Sequence, residues 1–221
     1  MALRKKENRN YNADIVLIDI ISFSTLTSQQ QLELITYLTK GYRKMLEKLL
    51  SNSDMNLKQL ILGIISTGDG FYCILNPKMR GFGAILALSF NHFAELITQR
   101  FSYFLGIRTA VHTGEVFEFT DILGNPNFVG DGLNHCARFL EYKEFDLSTV
   151  FISSDAFESF NKFLMRYPDF KTLLLEQQFK RSREYKFNDK HGLTWAGYLV
   201  WLREGSVINP PNLKFNSLKG A

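Results

Sequence analysis

The 221 residues contain only two cysteines, Cys73 and Cys136. Such a pair makes neither a disulfide framework nor a zinc-ligand spacing. Both sit among apolar neighbours and read as core thiols. His92, His112, His135 and His191 show no metal-ligand spacing either. No run of about 18 consecutive apolar residues occurs, so no membrane-spanning helix is expected. The start, MALRKKENRNYN, is polar and lacks the apolar middle of a secretory signal. A cytoplasmic protein is expected. There is little net charge. At +4, with basic residues scattered apart from Arg4-Lys5-Lys6 and Lys180-Arg181-Ser182-Arg183, the chain suits a phosphorylated ligand but lacks the footprint of a nucleic-acid binder.

Apolar material is plentiful: 45% of residues are hydrophobic and 20 are Phe, ample for the core of one domain. The sequence divides into a loose arm at 1–11, a folded domain at 12–205 and a tail at 206–221 containing Pro210-Pro211.

The most informative stretch is IISTGDGFYCI, Ile64 to Ile74. One apolar run, Leu60 to Ile65, reads as a buried strand, and a second, Phe71 to Leu75, follows it. Gly68-Asp69-Gly70 between them reads as a tight hairpin with a carboxylate at its tip. A further run, Ile15 to Ile18, ends in Asp19. If these strands are neighbours, Asp19 and Asp69 lie side by side. Adjacent carboxylates with no base between them either repel or hold a hard divalent cation through oxygen. Alone, Gly-Asp-Gly is more often a self-capped turn.

In chain order, Asn12 to Ile20 reads as a strand. Thr27 with Gln30 resembles a capping box, opening a helix to about Leu50 with apolar positions Leu32, Ile35, Leu38, Tyr42, Met45, Leu46 and Leu49. After the hairpin come a long helix over Phe82 to Leu105, a strand over Ile107 to Val116 and a loop over Asp121 to Asn127. A helix over Gly130 to Leu140, a strand over Val150 to Ser153 and a helix over Asp155 to Arg166, capped by Ser153 or Ser154, follow. Two late strands, Leu173 to Phe179 and Leu193 to Trp201, complete the set and are expected to form a C-terminal β-hairpin. This order suits an α+β fold with a ferredoxin-like core.

Four segments, DIVLIDIISFS, STGDGFY, IRTAVHTGEV and NFVGDGLNHCARF, together resemble the class III nucleotidyl cyclase catalytic domain. The resemblance covers Asp14 to Arg138 and, more weakly, the chain out to Tyr198. It implies two divalent ions, Mn²⁺ or Mg²⁺, on Asp19, Asp69 and the backbone carbonyl of Ile20. It implies that Arg138 stabilises phosphoryl charge and that Asn134 orients the ribose. These two stand four apart, on one helix face. Arg108 matches the family's triphosphate arginine. Lys190 matches its triphosphate lysine weakly, and Arg183 or Lys186 could substitute. In this family the aspartates come from one subunit and the Asn/Arg helix from the other, which implies a homodimer with two shared sites.

The base-reading positions depart from the best-known members. Four residues before Asp69, where adenylate cyclases carry Lys and guanylate cyclases Glu, stands Ile65. Seven before Asn134, where Asp or a Cys/Ser-like residue is usual, stands Asn127. Ile65 can neither donate to adenine N1 nor accept from the guanine edge. These replacements resemble the pyrimidine cyclases of bacterial anti-phage (Pycsar-type) systems, which make cyclic UMP or cyclic CMP for a separate effector protein. Ile65 and a first-helix aromatic such as Tyr42 are candidates to fill the space of a purine, though the spacing of Tyr42 equally makes it core. The Asn127 amide suits uracil or cytosine; with no acidic residue to hold an amino group, UTP is favoured over CTP. A cyclase of relaxed or purine specificity, and an inactive nucleotide-binding module, are the competing readings.

Overall fold

The computed structural model describes residues 9–51, 53–141, 149–176, 178–189 and 192–202. Strand β1 (Arg9–Ile20) leads through a short 3-10 turn into α1 (Ser28–Leu50). A single helical turn, α2 (Leu57–Leu60), precedes β2 (Ile61–Ser66) and β3 (Gly70–Leu75). Then come α3 (Gly83–Thr98), β4 (Ile107–Thr120), β5 (Pro126–Val129), α4 (Asp131–Phe139), β6 (Val150–Ser153), α5 (Ser154–Arg166) and α6 (Pro168–Glu176). The described chain ends with β7 (Lys180–Arg181), β8 (Tyr185–Asn188) and β9 (Thr194–Trp201).

The strands form one sheet in the order β2-β3-β1-β4-β6-β9-β7, with β5 added to β4 and β8 to β9. β4 and β6 are parallel; the other pairs are antiparallel. The β2-β3-β1-β4 order is that of a ferredoxin-like core.

Period-2 alternation divides β1 between two faces. Val16, Ile18 and Ile20 join the larger core beneath α1, α3, α5 and α6. Ala13, Ile15 and Leu17 join a smaller core that α4 covers. Helix α4 comes close to the sheet because Gly132 lacks a side chain: a Cβ there would lie 2.8 Å from the Glu115 carbonyl oxygen.

Several expectations hold. The Thr27–Gln30 capping box forms, with the Gln30 N–H donating to Thr27 Oγ1 at 3.3 Å and the Thr27 N–H to Gln30 Oε1 at 2.9 Å. Ser153 caps α5 through the Ala156 N–H. Cys73 and Cys136 are buried free thiols, and burial pushes the Cys73 thiol up to about 12.

Others need correction. The arm does not reach residue 11: β1 begins at Arg9, because Arg9 to Tyr11 pair with the extended end of β4. Leu32 is 65% exposed, and Leu34 takes the core position. Strand β2 is a sheet edge rather than buried, so Ile64 is 55% exposed. Helix α3 ends at Thr98, after which Phe101 and Phe104 dock in the core from a turn that closes at Gly106, φ 109°. Strand β4 runs on to Thr120, so part of the expected loop is the β4–β5 hairpin. The expected strand from Leu173 is helix α6, opened by Pro168 and burying Phe170 and Leu174 one turn apart.

One buried carboxylate ties β1 to the start of α3. Asp14, 1% exposed, accepts from the Gly81 and Gly83 N–H groups at 2.6 and 3.0 Å through Oδ2 and from the Thr113 hydroxyl at 2.7 Å through Oδ1. Burial raises its pKa and these three donors oppose the rise. Asp14→Asn turns one acceptor into a donor that faces another donor. It should destabilise the protein by about 2 kcal/mol, read as a lower urea midpoint at unchanged slope.

Candidate functional site

The carboxylate end of the site is set by strand register. Asp19 stands opposite Arg108 on β4 and opposite Gly70 on β3. The hairpin tip presses onto β1: a Cβ on Gly70 would lie 1.9 Å from the Ile18 carbonyl oxygen. The Ile20 N–H donates to the Asp69 carbonyl at 2.8 Å, and the Thr67 hydroxyl donates to Asp69 Oδ1 at 3.2 Å. Asp19 and Asp69 are therefore brought together, as the apolar runs implied. Arg108 donates to Asp19 Oδ2 from Nε at 2.8 Å and also from Nη2. Burial is the main cause that raises the Asp19 pKa; Arg108 opposes it, and the Asp69 carboxylate adds to it.

The two carboxylates are hard-oxygen donors, and the Ile20 backbone adjoins them through its N–H bond to the Asp69 carbonyl. Among the described residues, no group of three or more His, Cys, Asp or Glu side chains could hold a metal. A donor set this small suits Mg²⁺ or Mn²⁺ bound together with water and substrate phosphates rather than caged by protein.

The second group of candidate residues lies on α4. Leu133, Cys136 and Phe139 are buried, which turns Asn134 and Arg138 outward together. Beneath the helix, Cys136 Sγ approaches the Ile15 and Ala110 carbonyls at 3.5 and 3.7 Å. His112 Nδ1 lies 2.9 Å from Ser153 Oγ, and burial drops its pKa to about 4, with His135 contributing. Arg138 pairs with Glu141 at 2.8 Å and approaches Asp189 at 3.5 Å. Among the described residues, no hydrogen bond or ion pair joins Asp19, Asp69 or Arg108 to Asn134 or Arg138.

The candidate base-reading residues divide. Ile65 pairs with Tyr72, and both pack against the smaller core on the α4 side. Asn127 lies on β5 opposite Phe119, and its Oδ1 accepts from the Phe128 N–H at 2.8 Å. Tyr42 is not brought to them. It is 4% exposed in the larger core, across the sheet from Ile65, with Phe90 and Phe93 at ring separations of 4.4 and 5.4 Å. It lines a cavity of about 300 Å³ between α1 and the sheet, together with Ile20, Ile64 and Phe71. Lys190 lies outside the described residues. Phe128 was not anticipated: it packs over Gly63, where a Cβ would lie 2.1 Å from its ring. No local pattern signals a contact between residues so distant in sequence.

No protein-family model and no curated protein sequence matches the chain. Solved structures do. The catalytic core of a rhodopsin-guanylyl cyclase of converted specificity, in complex with ATPαS, superposes with a TM-score of 0.62 at 16% identity over 90% of this chain and 100% of its own. The guanylate cyclase domain of a protein from Catenaria anguillulae, in complex with GTP, gives 0.61 at 15% identity over 89% of this chain and 100% of its own. A bacterial light-regulated adenylyl cyclase gives 0.56 at 14% identity over 93% of this chain and 56% of its own. The chain thus has the fold of the guanylyl and adenylyl cyclase catalytic domains.

Proposed function

We propose that the protein is a nucleotidyl cyclase that converts UTP to 3′,5′-cyclic UMP and pyrophosphate, at sites shared between two copies of the chain. The observation that carries this reading is the pairing, on one fold, of the Asp19–Asp69–Arg108 cluster with an outward Asn134–Arg138 face that, among the described residues, no hydrogen bond or ion pair joins to it. A second copy, set head to tail, would complete each half. The β4–β5 turn supports such an assembly: Ile122 and Leu123 are 102% and 81% exposed, apolar surface that a partner would cover.

In the reaction the ribose 3′-oxygen bonds to the α-phosphorus, the bridge to the β-phosphate breaks, and the 3′-hydroxyl proton passes to water. Divalent ions held by Asp19, Asp69 and the Ile20 carbonyl would supply activation of the attacking oxygen and neutralisation of the departing charge. Arg138 donates to the phosphoryl oxygens as charge grows on them. Asn134 orients the ribose, and Arg108 turns from Asp19 to the triphosphate, with Lys190 as a second basic candidate.

The pyrimidine assignment rests on Ile65 and Asn127. Ile65 offers neither donor nor acceptor; Leu62 and Phe128 share its core, and the one polar atom its cross-strand partner Tyr72 brings is a hydroxyl. A purine edge left unpaired there would lose about 1–3 kcal/mol per buried polar group. Asn127 can meet the N3–H and O4 of uracil; CTP is the near alternative. The product would serve as a messenger to a separate effector in anti-phage defence. A purine cyclase is the second reading, favoured by the ATPαS and GTP bound to similarly folded domains. The presence of both carboxylates and of Arg138 argues against an inactive binding module.

Three outcomes are expected. Given ATP, GTP, CTP and UTP together with Mn²⁺, the protein should yield cyclic UMP as the main product by mass; a purine product would overturn the base assignment and leave the cyclase reading intact. Asp69→Ala and Arg138→Ala chains, each inactive alone, should recover activity when mixed, with one good site per heterodimer. Lack of recovery would count against a shared site. Arg108→Ala should act with opposite signs on two ligands. By calorimetry, Mn²⁺ alone should bind roughly tenfold tighter once Asp19 loses its guanidinium, while UTP should bind roughly tenfold weaker.

A further inference from the structure

Asp189, just after β8, presents a carboxylate to the face of α4 that carries Arg138. Asp189 has no exposed side-chain surface, and its Oδ2 lies 3.5 Å from Arg138 Nε. Its own placement is fixed. Asp189 Oδ1 accepts from the Leu193 N–H at 3.0 Å, and the Asp189 N–H donates to the Leu193 carbonyl at 3.0 Å. Aromatic packing locks the β8–β9 hairpin to the helix: Trp195 lies 4.6 Å from the His135 ring and 5.9 Å from Phe139, and Phe187 lies 6.0 Å from Phe139. A buried carboxylate is costly unless a cation faces it, and Arg138 is a cation that faces this one, as an ion pair rather than a hydrogen bond.

We propose that Asp189 is a positioning residue for Arg138. It holds the Nε edge of the guanidinium against the end of β8, so that the opposite edge faces outward from α4. Glu141 meets the guanidinium at Nη1, with a side chain 40% exposed. That contact is the one solvent screens and an incoming anion can displace; the Asp189 contact is shielded and persists. The inference rests on the cyclase reading for what Arg138 does, but not for how it is held. An arginine has five N–H donors in a rigid fork. Fixing one edge pre-sets the other for phosphoryl oxygens, and loss of that orientation should lower the rate rather than ground-state binding.

Asp189→Asn tests this, because its carbonyl can still accept from Leu193 and keep the turn. In the full-length protein, kcat should fall by about 10- to 100-fold while KM for the nucleotide triphosphate changes little. In an Arg138→Ala background the same substitution should change kcat by less than about twofold. An equal loss in both backgrounds, or a raised KM with kcat intact, would overturn the positioning role. A readout independent of turnover is the ¹⁵N spectrum of arginine Nε–H groups, with Arg138 identified by its loss in Arg138→Lys. A slowly exchanging Arg138 signal should be present in the native protein and lost in Asp189→Asn. A signal unchanged by Asp189→Asn would overturn the inference even if the native protein cyclises no nucleotide.

Discussion

The antiparallel pairing of β1 with β4 governs the placement of everything else. It runs without a break in register from Arg9↔Glu118 to Ile20↔Ile107. Because side chains alternate with period 2, this one register sends Val16, Ile18 and Ile20 to the larger core and Ala13, Ile15 and Leu17 to the smaller one. It also puts Asp19 across from Arg108. A slip of one residue would exchange the two faces and separate this ion pair. Asp14 reinforces the register, since its two oxygens reach the strand opposite and the turn leading into α3 together.

The two faces of the sheet are used unequally. Four helices cover one face and bury a continuous apolar core. On the other, α4 carries much of the cover with a short helix, and the β8–β9 hairpin packs against that helix through Phe187 and Trp195. Asp19, Arg108 and Ile65 belong to this second side. The polar groups proposed for chemistry therefore stand where the chain leaves the sheet least covered, while the groups that stabilise the fold stand behind it. Tyr42 belongs to the stabilising side. Its ring fills the space between α1 and α3, and its hydroxyl reaches the Phe90 carbonyl, at 3.5 Å.

What could be read in advance follows from the range of the interactions. The Thr27–Gln30 cap and the Ser153 cap involve residues three apart, so composition alone exposes them. The adjacency of Asp19 and Asp69 was legible because three apolar runs, each ending or beginning at a charged turn, fit one sheet. Helix α6 was not, since Leu173-Leu174-Leu175 is an apolar run that a strand and a helix accommodate equally; the spacing of Phe170 and Leu174 across one buried face decides it. The face occupied by Tyr42 was not legible either, because a helical period reports which side of a helix is apolar and not which side of a sheet it meets. The Arg108–Asp19 pair and the Phe128–Gly63 contact depend on register between strands far apart in sequence.

The ion pair at Asp19 bears on how the proposed enzyme avoids a cost of its own design. Two neighbouring carboxylates in a half-buried site repel, and Asp69 already raises the Asp19 pKa. Before a metal ion arrives, a cation beside Asp19 offsets that repulsion. Arg108 supplies that cation in advance: it donates two hydrogen bonds to one Asp19 oxygen from a side chain still 42% exposed. That exposure matters, because a partly exposed guanidinium can be drawn off by a triphosphate while a fully buried one could not. On α4 the opposite arrangement holds, with Arg138 backed by an Asp189 side chain that has no exposed surface. On the proposed function, one arginine is placed to move and the other to stay. The difference in burial of their carboxylate partners, 16% against 0% exposed, is the physical basis for assigning them those separate parts.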